Sequence, residues 1–553
     1  MRQYMENNTL VIAVVACIFS LLYLNTLAVH HSEAEDVLSY AAAVSLNDPL
    51  QLFHPNHLLF ENASLAFVQF IHLFMPDLET ITAMQILQAI CGIFSLALLY
   101  KLQRDNKVEL SPALCTVLTT GVAYGFWAYS VEADTYIIPI PFLLLAIREL
   151  LTFTHNNWSP VSSVRMGIYL ASATLLHQQY VLTVPAFIVT FFLIPKPPQF
   201  QIKRLLTSIL LLCAVSGGIT LIVYLSVAFY VLDIPDLLGA LSWSLGHGSG
   251  GLHTSLGFSS LIKAAVGFTK AILGTNFLFG FNWFNDIAAL LFDNLAGHEE
   301  RYLANSLSSA VLYICLFSLL IALIALAFLI IMAIRNHFQA ISLRRSPLII
   351  CCLSLFVFFS IFNTVFYPEN LEFWIALVPL LFLYLFLSLN STWHQNLNVR
   401  IAAFSLVMSL TLTNALGSVI PQSREQGDFW RDINQFLIEE TSQSDLILVR
   451  CGYVCNNYLK HGSEARILPV FSMPASELVK EIKQHQSGQI FISSFVFNPL
   501  SGFEASGNRL TRDQQQENLS LLEPLKGRLV SVNNTQGHIT YRMPKNSFNK
   551  ENP

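Results

Sequence analysis

Apolar stretches long enough to cross a bilayer recur through the first 420 residues of this 553-residue chain, and they restrict it to a bundle of membrane helices. They fall at roughly 9–29, 80–100, 111–130, 134–151, 163–178, 180–195, 205–231, 305–334, 347–366, 373–390 and 400–420. Composition agrees. The chain is 54% hydrophobic and 12% charged, whereas soluble domains carry about 25% charged residues. The first run, about 21 residues, exceeds the h-region of a secretory signal and reads as an uncleaved first helix.

Loop charges orient the bundle. Lys101, Arg104 and Lys107 follow the second span, and Arg148 and Arg165 flank the loop after the fourth. Lys196, Lys203 and Arg204 follow the sixth, Arg335, Arg344 and Arg345 the eighth, and Arg400 the tenth. The opposite loops hold Glu33, Glu35, Asp36, Glu132, Asp134, Asp233, Asp236, Glu369 and Glu372. The positive-inside rule then puts the N-terminus in the cytoplasm and the acids outside. A net charge of −5 without a basic run gives no footprint for nucleic acid.

Two outer loops are too long to be turns. The first, 30–79, contains an apolar stretch at 63–75 that is too short to span and is expected along the interface or against the bundle. The second, 232–304, has a glycine- and histidine-rich centre at Gly246–Gly251. Its apolar segment 256–281 contains Lys263 and Lys270 and is read as re-entrant or interfacial, because counting it as a span would break the charge alternation.

After residue 420 the chain turns polar. Residues 421–553 read as a small α/β domain, with strands at 445–450, 465–470, 489–495, 528–532 and 538–543 and helices near 426–440, 474–485 and 511–523. The expected architecture is therefore an α-helical polytopic membrane protein of about eleven transmembrane helices over 1–420, followed by an extracytoplasmic α/β domain and a disordered last ten residues.

Chemistry-bearing residues gather at the outer ends of spans. Glu33, Glu35 and Asp36 directly follow the first span. If helical, 33 and 36 share a face and 35 points away. Partial desolvation at a membrane boundary raises a carboxylate's pKa and suits a general base; the bland alternative is an acidic loop that orients the first helix. Phe126-Trp127 through Glu132, Asp134 and Tyr136 form a tight aromatic–acid junction between the third and fourth spans. Ionisable groups near a membrane usually face a cavity, while the aromatics alone are ordinary interfacial anchors. His177 sits in the turn between the fifth and sixth spans, where a lone histidine is more often a satisfied hydrogen-bonder than a catalyst. Glu369 and Glu372 occupy another outer turn, Tyr367–Trp374. A phosphate would need a cation, and Arg301 suits it best because a guanidinium binds bidentately; the same arginine could instead pair with His298, Glu299 and Glu300.

No Walker loop, HExxH, GxSxG or strand-borne GxGxxG occurs, which argues against an ATP-driven pump or a common hydrolase. Sequon matches fall on both sides of the membrane and carry no signal. Most of the nine cysteines lie in apolar spans, and none has zinc spacing. Cys451 and Cys455, four apart, are poorly placed to bridge if helical, so two free thiols are at least as expected.

In the order of these features, residues 1–420 resemble the GT-C glycosyltransferases, polytopic enzymes that use lipid-phosphate-linked sugars, and most of all the bacterial branch related to protein O-mannosyltransferases and aminoarabinose transferases. The residues that carry the resemblance are the first-loop acids, His54-Pro55 leading into a membrane-parallel helix, the Phe-Trp…Glu-Ala-Asp-Thr-Tyr junction at 126–136, the His177 turn and the Pro-Glu-Asn…Phe-Trp turn at 368–374. The junction is the most specific of these. The resemblance implies an inverting transfer in which a first-loop carboxylate takes the acceptor's proton and polyprenyl phosphate departs. Glu33 and Asp36 match that base, with Glu35 beside them. His54, Glu132, Asp134, Tyr136, His177, Arg301, Glu369 and Glu372 are the substrate-binding candidates. A divalent metal could also serve, but no ligand set is legible. The donor would be a polyprenyl-phosphate sugar and the acceptor a lipid, glycan or protein. The alternatives are a lipid or sugar transporter, which would be expected to show internal repeats and midplane charges, and a non-catalytic membrane scaffold.

Overall fold

The computed structural model describes residues 2–155, 158–196, 201–246, 257–291, 297–485, 487–498, 511–535 and 537–544. The glycine- and histidine-rich run beyond Gly246 and the last nine residues lie outside the described residues. The chain divides into two compact units. One comprises 1–28, 43–275 and 309–423; the other comprises 29–42, 276–308 and 424–553.

The first unit is all helix. Helices occupy each of the apolar stretches read from the sequence. Among the described residues, six are long and apolar enough to cross a membrane: Thr80–Asp105, Ile202–Tyr230, Ser309–Gln339, Pro347–Phe366, Leu371–Thr392 and Leu397–Gln422. The first helix, Arg2–Leu24, is not among the six, since its apolar part Asn8–Leu24 is shorter, but its surface divides clearly. Leu10, Val14, Ile18 and Leu21 are exposed, while Val15, Phe19 and Tyr23 are buried. That 3.6-residue alternation leaves one apolar stripe outward, as a lipid-facing helix requires.

The short apolar stretch of the first outer loop becomes the helix Phe60–His72, which packs on Thr80–Asp105. The segment with the two lysines becomes Phe258–Ile272. It lies against the 371–374 turn and Pro347–Phe366. Gly267 makes that approach possible, since a Cβ there would stand 2.3 Å from the Pro368 carbonyl oxygen and 2.8 Å from Trp374 Nε1.

The third span is broken. Its helix Leu110–Val122 ends at Ala123, whose extended backbone (ψ 136°) starts a second short helix, Tyr124–Ser130. Buried Asn414 ties this break down. Its Nδ2 donates to the carbonyls of Val122 (2.7 Å) and Ile272 (3.0 Å), and its Oδ1 accepts from Gly274 N (2.8 Å). A carbonyl freed from a helix inside a membrane protein needs such a partner.

Among its described residues the second unit has strands β1 Leu446–Val449, β2 Arg466–Pro469, β3 Ile490–Ser493, β4 Val530–Thr535 and β5 His538–Met543. They form one five-stranded sheet of order β2-β1-β3-β5-β4. β1, β2 and β3 are parallel, and β5 and β4 extend the sheet antiparallel. All four residues of β1 are buried, as expected for a central parallel strand covered on both faces. Leu446, Leu448, Leu468, Ile492, Leu478 and Leu522 form its core. Helices Phe429–Glu440, Ala475–Gln484 and Arg512–Lys526 match the sequence reading. The crossover helix Gly452–Gly462 between β1 and β2 is an addition to it.

Candidate active site

Three of the four outer features meet in the first unit. The helix Tyr124–Ser130 is buried along its length. Trp127 Nε1 donates to Thr26 Oγ1 (3.0 Å), and Gln422 Nε2 donates to Tyr124 OH (3.0 Å). From this anchored turn Tyr129 donates to Glu372 Oε1 (2.7 Å) and Tyr136 to Glu372 Oε2 (3.0 Å). Asn370 Nδ2 adds a third donor to Oε2 at 2.8 Å. A carboxylate receiving three donors is held in one orientation.

The His177 ring lies 4.7 Å from that of Tyr136, and its Nδ1 accepts from Gln179 N (3.3 Å). Gln179 Nε2 in turn reaches Asn363 Oδ1 (2.7 Å) and the Phe373 carbonyl (3.1 Å). The junction at 126–136, the His177 turn and the 367–374 turn therefore form one polar network. Glu132 and Asp134 are both buried beside it in sequence, and Asp134 Oδ1 accepts from Thr135 N. Glu369 sits apart from the network in an ion pair with Lys263 (2.9 Å). His54 caps the 55–57 turn and stacks on His57 at 4.5 Å. His57 Nδ1 is 3.1 Å from Glu61 Oε2, a buried pair that sequence reading did not single out.

The first-loop acids belong to the second unit, not to this network. They are also not helical. Residues 32–36 form bends and turns, and the helix starts only at Val37. The condition under which 33 and 36 would share a helix face is therefore not met: two residues of turn precede the helix, so the local spacing rule does not apply.

Segments of both long outer loops meet in this unit. Asn276 Nδ2 is 3.4 Å from Glu33 Oε2. The helix His298–Asn305 carries Glu299 and Glu300 in its first turn, where a helix N-terminus favours negative charge. Trp430 Nε1 donates to Glu299 Oε1, and Tyr302 OH donates to Asp432 Oδ2 (2.6 Å). Arg301 Nε donates to Asn285 Oδ1 (3.2 Å). Asp36 Oδ2 accepts from Tyr40 OH (3.1 Å).

The result is a concentration of carboxylates. Enclosure by the protein, followed by the charges of Asp36, Glu33 and Glu300, pushes the Glu35 carboxyl up to about 7. Enclosure, and then Glu300, raises Glu299 well above the ordinary range. Glu35 nevertheless keeps an exposed edge, so its proton exchanges with solvent. Among the described residues no group of three or more His, Cys, Asp or Glu side chains is arranged to hold a metal ion.

The raised Glu35 has a thermodynamic consequence. The folded chain holds that proton up to about pH 7, whereas the unfolded chain releases it near the ordinary 4.5. Stability is then greatest below the lower value and declines as pH rises through that window. Glu35→Gln is expected to be more stable than the parent at pH 8 by about 1 kcal/mol, a figure reduced for the solvent-open side chain, and no more stable at pH 4.5. Thermal melts at the two pH values measure this, and equal stability at pH 8 would refute it.

Cys451 and Cys455 form a disulfide. The expectation of free thiols assumed both lay within a helix. Cys451 is the residue before the helix (φ −132°, ψ 14°), and Gly452 follows at φ +81°, a left-handed conformation that favours glycine. This bend leaves the two Cα atoms 5.6 Å apart, within bridging range.

No protein-family model and no curated protein sequence matches the chain. Solved structures do. ArnT from Cupriavidus metallidurans bound to undecaprenyl phosphate superimposes with a TM-score of 0.55 at 10% identity, covering 98% of this chain and 98% of that one. The same protein in the apo state gives 0.54, also at 10% identity, over 98% and 99%. The Archaeoglobus fulgidus oligosaccharyltransferase tethered to an acceptor peptide gives 0.50 at 12% identity, over 97% of this chain and 74% of its own. At such identities the likeness speaks to fold alone, and the chain has the fold of ArnT and of this oligosaccharyltransferase.

Proposed function

We propose that this chain is a membrane glycosyltransferase that moves a sugar from a polyprenyl-phosphate carrier to an acceptor hydroxyl, with inversion, on the outer face of the membrane. The observation that carries the reading is the gathering of Glu33, Glu35, Asp36, Glu299 and Glu300 on segments of the two long outer loops, in a fold shared end to end with a protein solved with undecaprenyl phosphate. Step from fold to chemistry is by analogy, and the carboxylates give it a physical basis.

Asp36 is the general base. Tyr40 donates a hydrogen bond to it, and a carboxylate has lone pairs left for an acceptor hydroxyl. Asp36 takes that proton, the hydroxyl oxygen bonds to the anomeric carbon, and the bond from that carbon to the phosphate oxygen breaks. Polyprenyl phosphate leaves as an anion, so no general acid is required, and a nearby cation lowers the barrier. Arg301, oriented by Asn285, is the cation proposed for it. Within the helical unit, Glu132, Asp134, Tyr136, His177 and Glu372, with His54 and Glu369, are proposed as substrate-binding residues.

The chain is proposed to cross the membrane eleven times, with the N-terminus cytoplasmic and residues 421–553 outside. A disulfide in the second unit favours an oxidising compartment there. Reporter fusions after residue 340 and after residue 430 are expected to read cytoplasmic and external, and the reverse pattern would overturn the helix count.

The reaction is tested with purified full-length chain, offering undecaprenyl-phosphate-linked mannose and aminoarabinose in turn, with envelope extract as acceptor. Undecaprenyl phosphate should be released and the sugar transferred with inverted anomeric configuration. Absence of release from both donors, or retention of configuration, would sink the reading.

A further inference from the structure

The C-terminal segment does more than follow the bundle in sequence. Residues 29–42, which carry the first-loop acids, pack into the same compact unit as residues 424–553. The crossover helix Gly452–Gly462 holds them directly. His31 N–H donates to Tyr458 OH (2.8 Å), and Tyr458 OH donates onward to Asp428 Oδ2 (2.6 Å). All three residues are buried. Because Asp428 takes the phenol's proton, the phenol oxygen presents its lone pairs to the His31 amide. Hydrogen bonds chained in this way reinforce one another. Asp428 is itself fixed, for its Oδ1 caps the helix Phe429–Glu440 by accepting from Arg431 N (3.1 Å).

Five residues earlier on the same helix, Tyr453 lies within electrostatic reach of Asp36. Burial, then the Asp36 charge, push its phenol up to about 12, so it stays protonated at any physiological pH. The Cys451–Cys455 disulfide spans the start of this helix, and Asn434 Nδ2 from Phe429–Glu440 contacts Cys455 Sγ at 3.4 Å. The bridge therefore fastens the turn that bears Tyr453.

We infer that the disulfide-fastened helix Gly452–Gly462 is a clamp on the first-loop acids, with Tyr458 and Tyr453 as positioning residues that hold the His31–Asp36 segment in its reactive shape. This deepens the transfer reading above and rests on it for the meaning of "reactive". The clamp itself is a statement about hydrogen bonds and can be measured without substrate.

The test is amide hydrogen exchange on the full-length chain in detergent. Tyr458→Phe keeps the ring and removes only the hydroxyl. Peptides covering 29–42 are expected to exchange about 10-fold faster, the worth of a typical buried hydrogen bond, while peptides covering β1 and β3 stay as in the parent. The double variant Cys451→Ser/Cys455→Ser is expected to speed exchange over 29–42 and 451–458 together. Unchanged exchange over 29–42 in both variants overturns the clamp. A loss of protection in β1 and β3 as large as that in 29–42 overturns it too, because the effect would then be general unfolding.

Activity separates the clamp from the reaction it serves. Tyr453→Phe takes away a hydroxyl close to Asp36, so kcat should fall while KM for the undecaprenyl-phosphate sugar stays within about 2-fold of the parent. A purely structural role would not separate the two constants. If exchange rises in Tyr458→Phe while Asp36→Asn still transfers sugar, the clamp stands and the base assignment falls. If Asp36→Asn is inactive while exchange stays put, the reverse holds.

Discussion

Asp36→Asn is expected to lower kcat for transfer from an undecaprenyl-phosphate sugar by about 10³-fold, the middle of the range for removing a general base. Asparagine has nearly the same shape and can still accept from Tyr40, which donates to Oδ2 in the parent. Packing of the segment should therefore survive, and what disappears is a carboxylate able to take a proton. Donor affinity should be little changed, because the base acts on the acceptor hydroxyl and not on the phosphate. Steady-state kinetics with purified variant and parent measure both terms. A variant that turns over at the parental rate would remove Asp36 from the mechanism, and parallel tests of Glu33→Gln and Glu35→Gln would then find which neighbour takes its place.

The second large effect lies in the helical unit. Glu372→Ala removes the acceptor shared by Tyr129, Tyr136 and Asn370. Hydrogen bonds to a charged group are each worth about 1.5–3 kcal/mol, and stranding their donors adds a desolvation cost. The variant is expected to lose about 3–5 kcal/mol, after allowing for donors that find water. Glu372→Gln keeps one oxygen acceptor but turns an amide toward a donor, so its loss should be near half of that. Thermal unfolding followed by tryptophan fluorescence in detergent gives the comparison. Should the alanine variant melt with the parent, the three-donor network would have no part in holding the outer turns together.

These two residues also mark how far sequence reading reaches. Glu372 was legible as one of two acids in an outer turn, and Tyr136 as part of an aromatic–acid junction. That they hydrogen-bond each other was not, because they are 236 residues apart. The acids at 33, 35 and 36 were legible as a charged cluster after an apolar helix. That they lie on a turn and not a helix is hidden, because 32–36 carries no glycine or proline to announce it. The disulfide is hidden for a related reason. Whether Cys451 lies inside or just outside a helix depends on one residue of phase, which Gly452 decides. The helix Gly452–Gly462 leaves no clear apolar period in the sequence, because polar residues interrupt the buried stripe of Val454, Cys455 and Leu459.

Residue pattern alone established the membrane class, the position of each apolar helix and the short strands of the polar segment. All of these follow from period and length, which are local properties that bilayer thickness and backbone hydrogen bonding translate directly into helices and strands. Tertiary structure alone decided that the junction, His177 and Glu372 form one network while the first-loop acids join the C-terminal unit. It also decided that Tyr458 takes the amide of His31 across 427 residues. Partners that distant are selected by packing, and composition and spacing carry no record of which buried donor meets which acceptor.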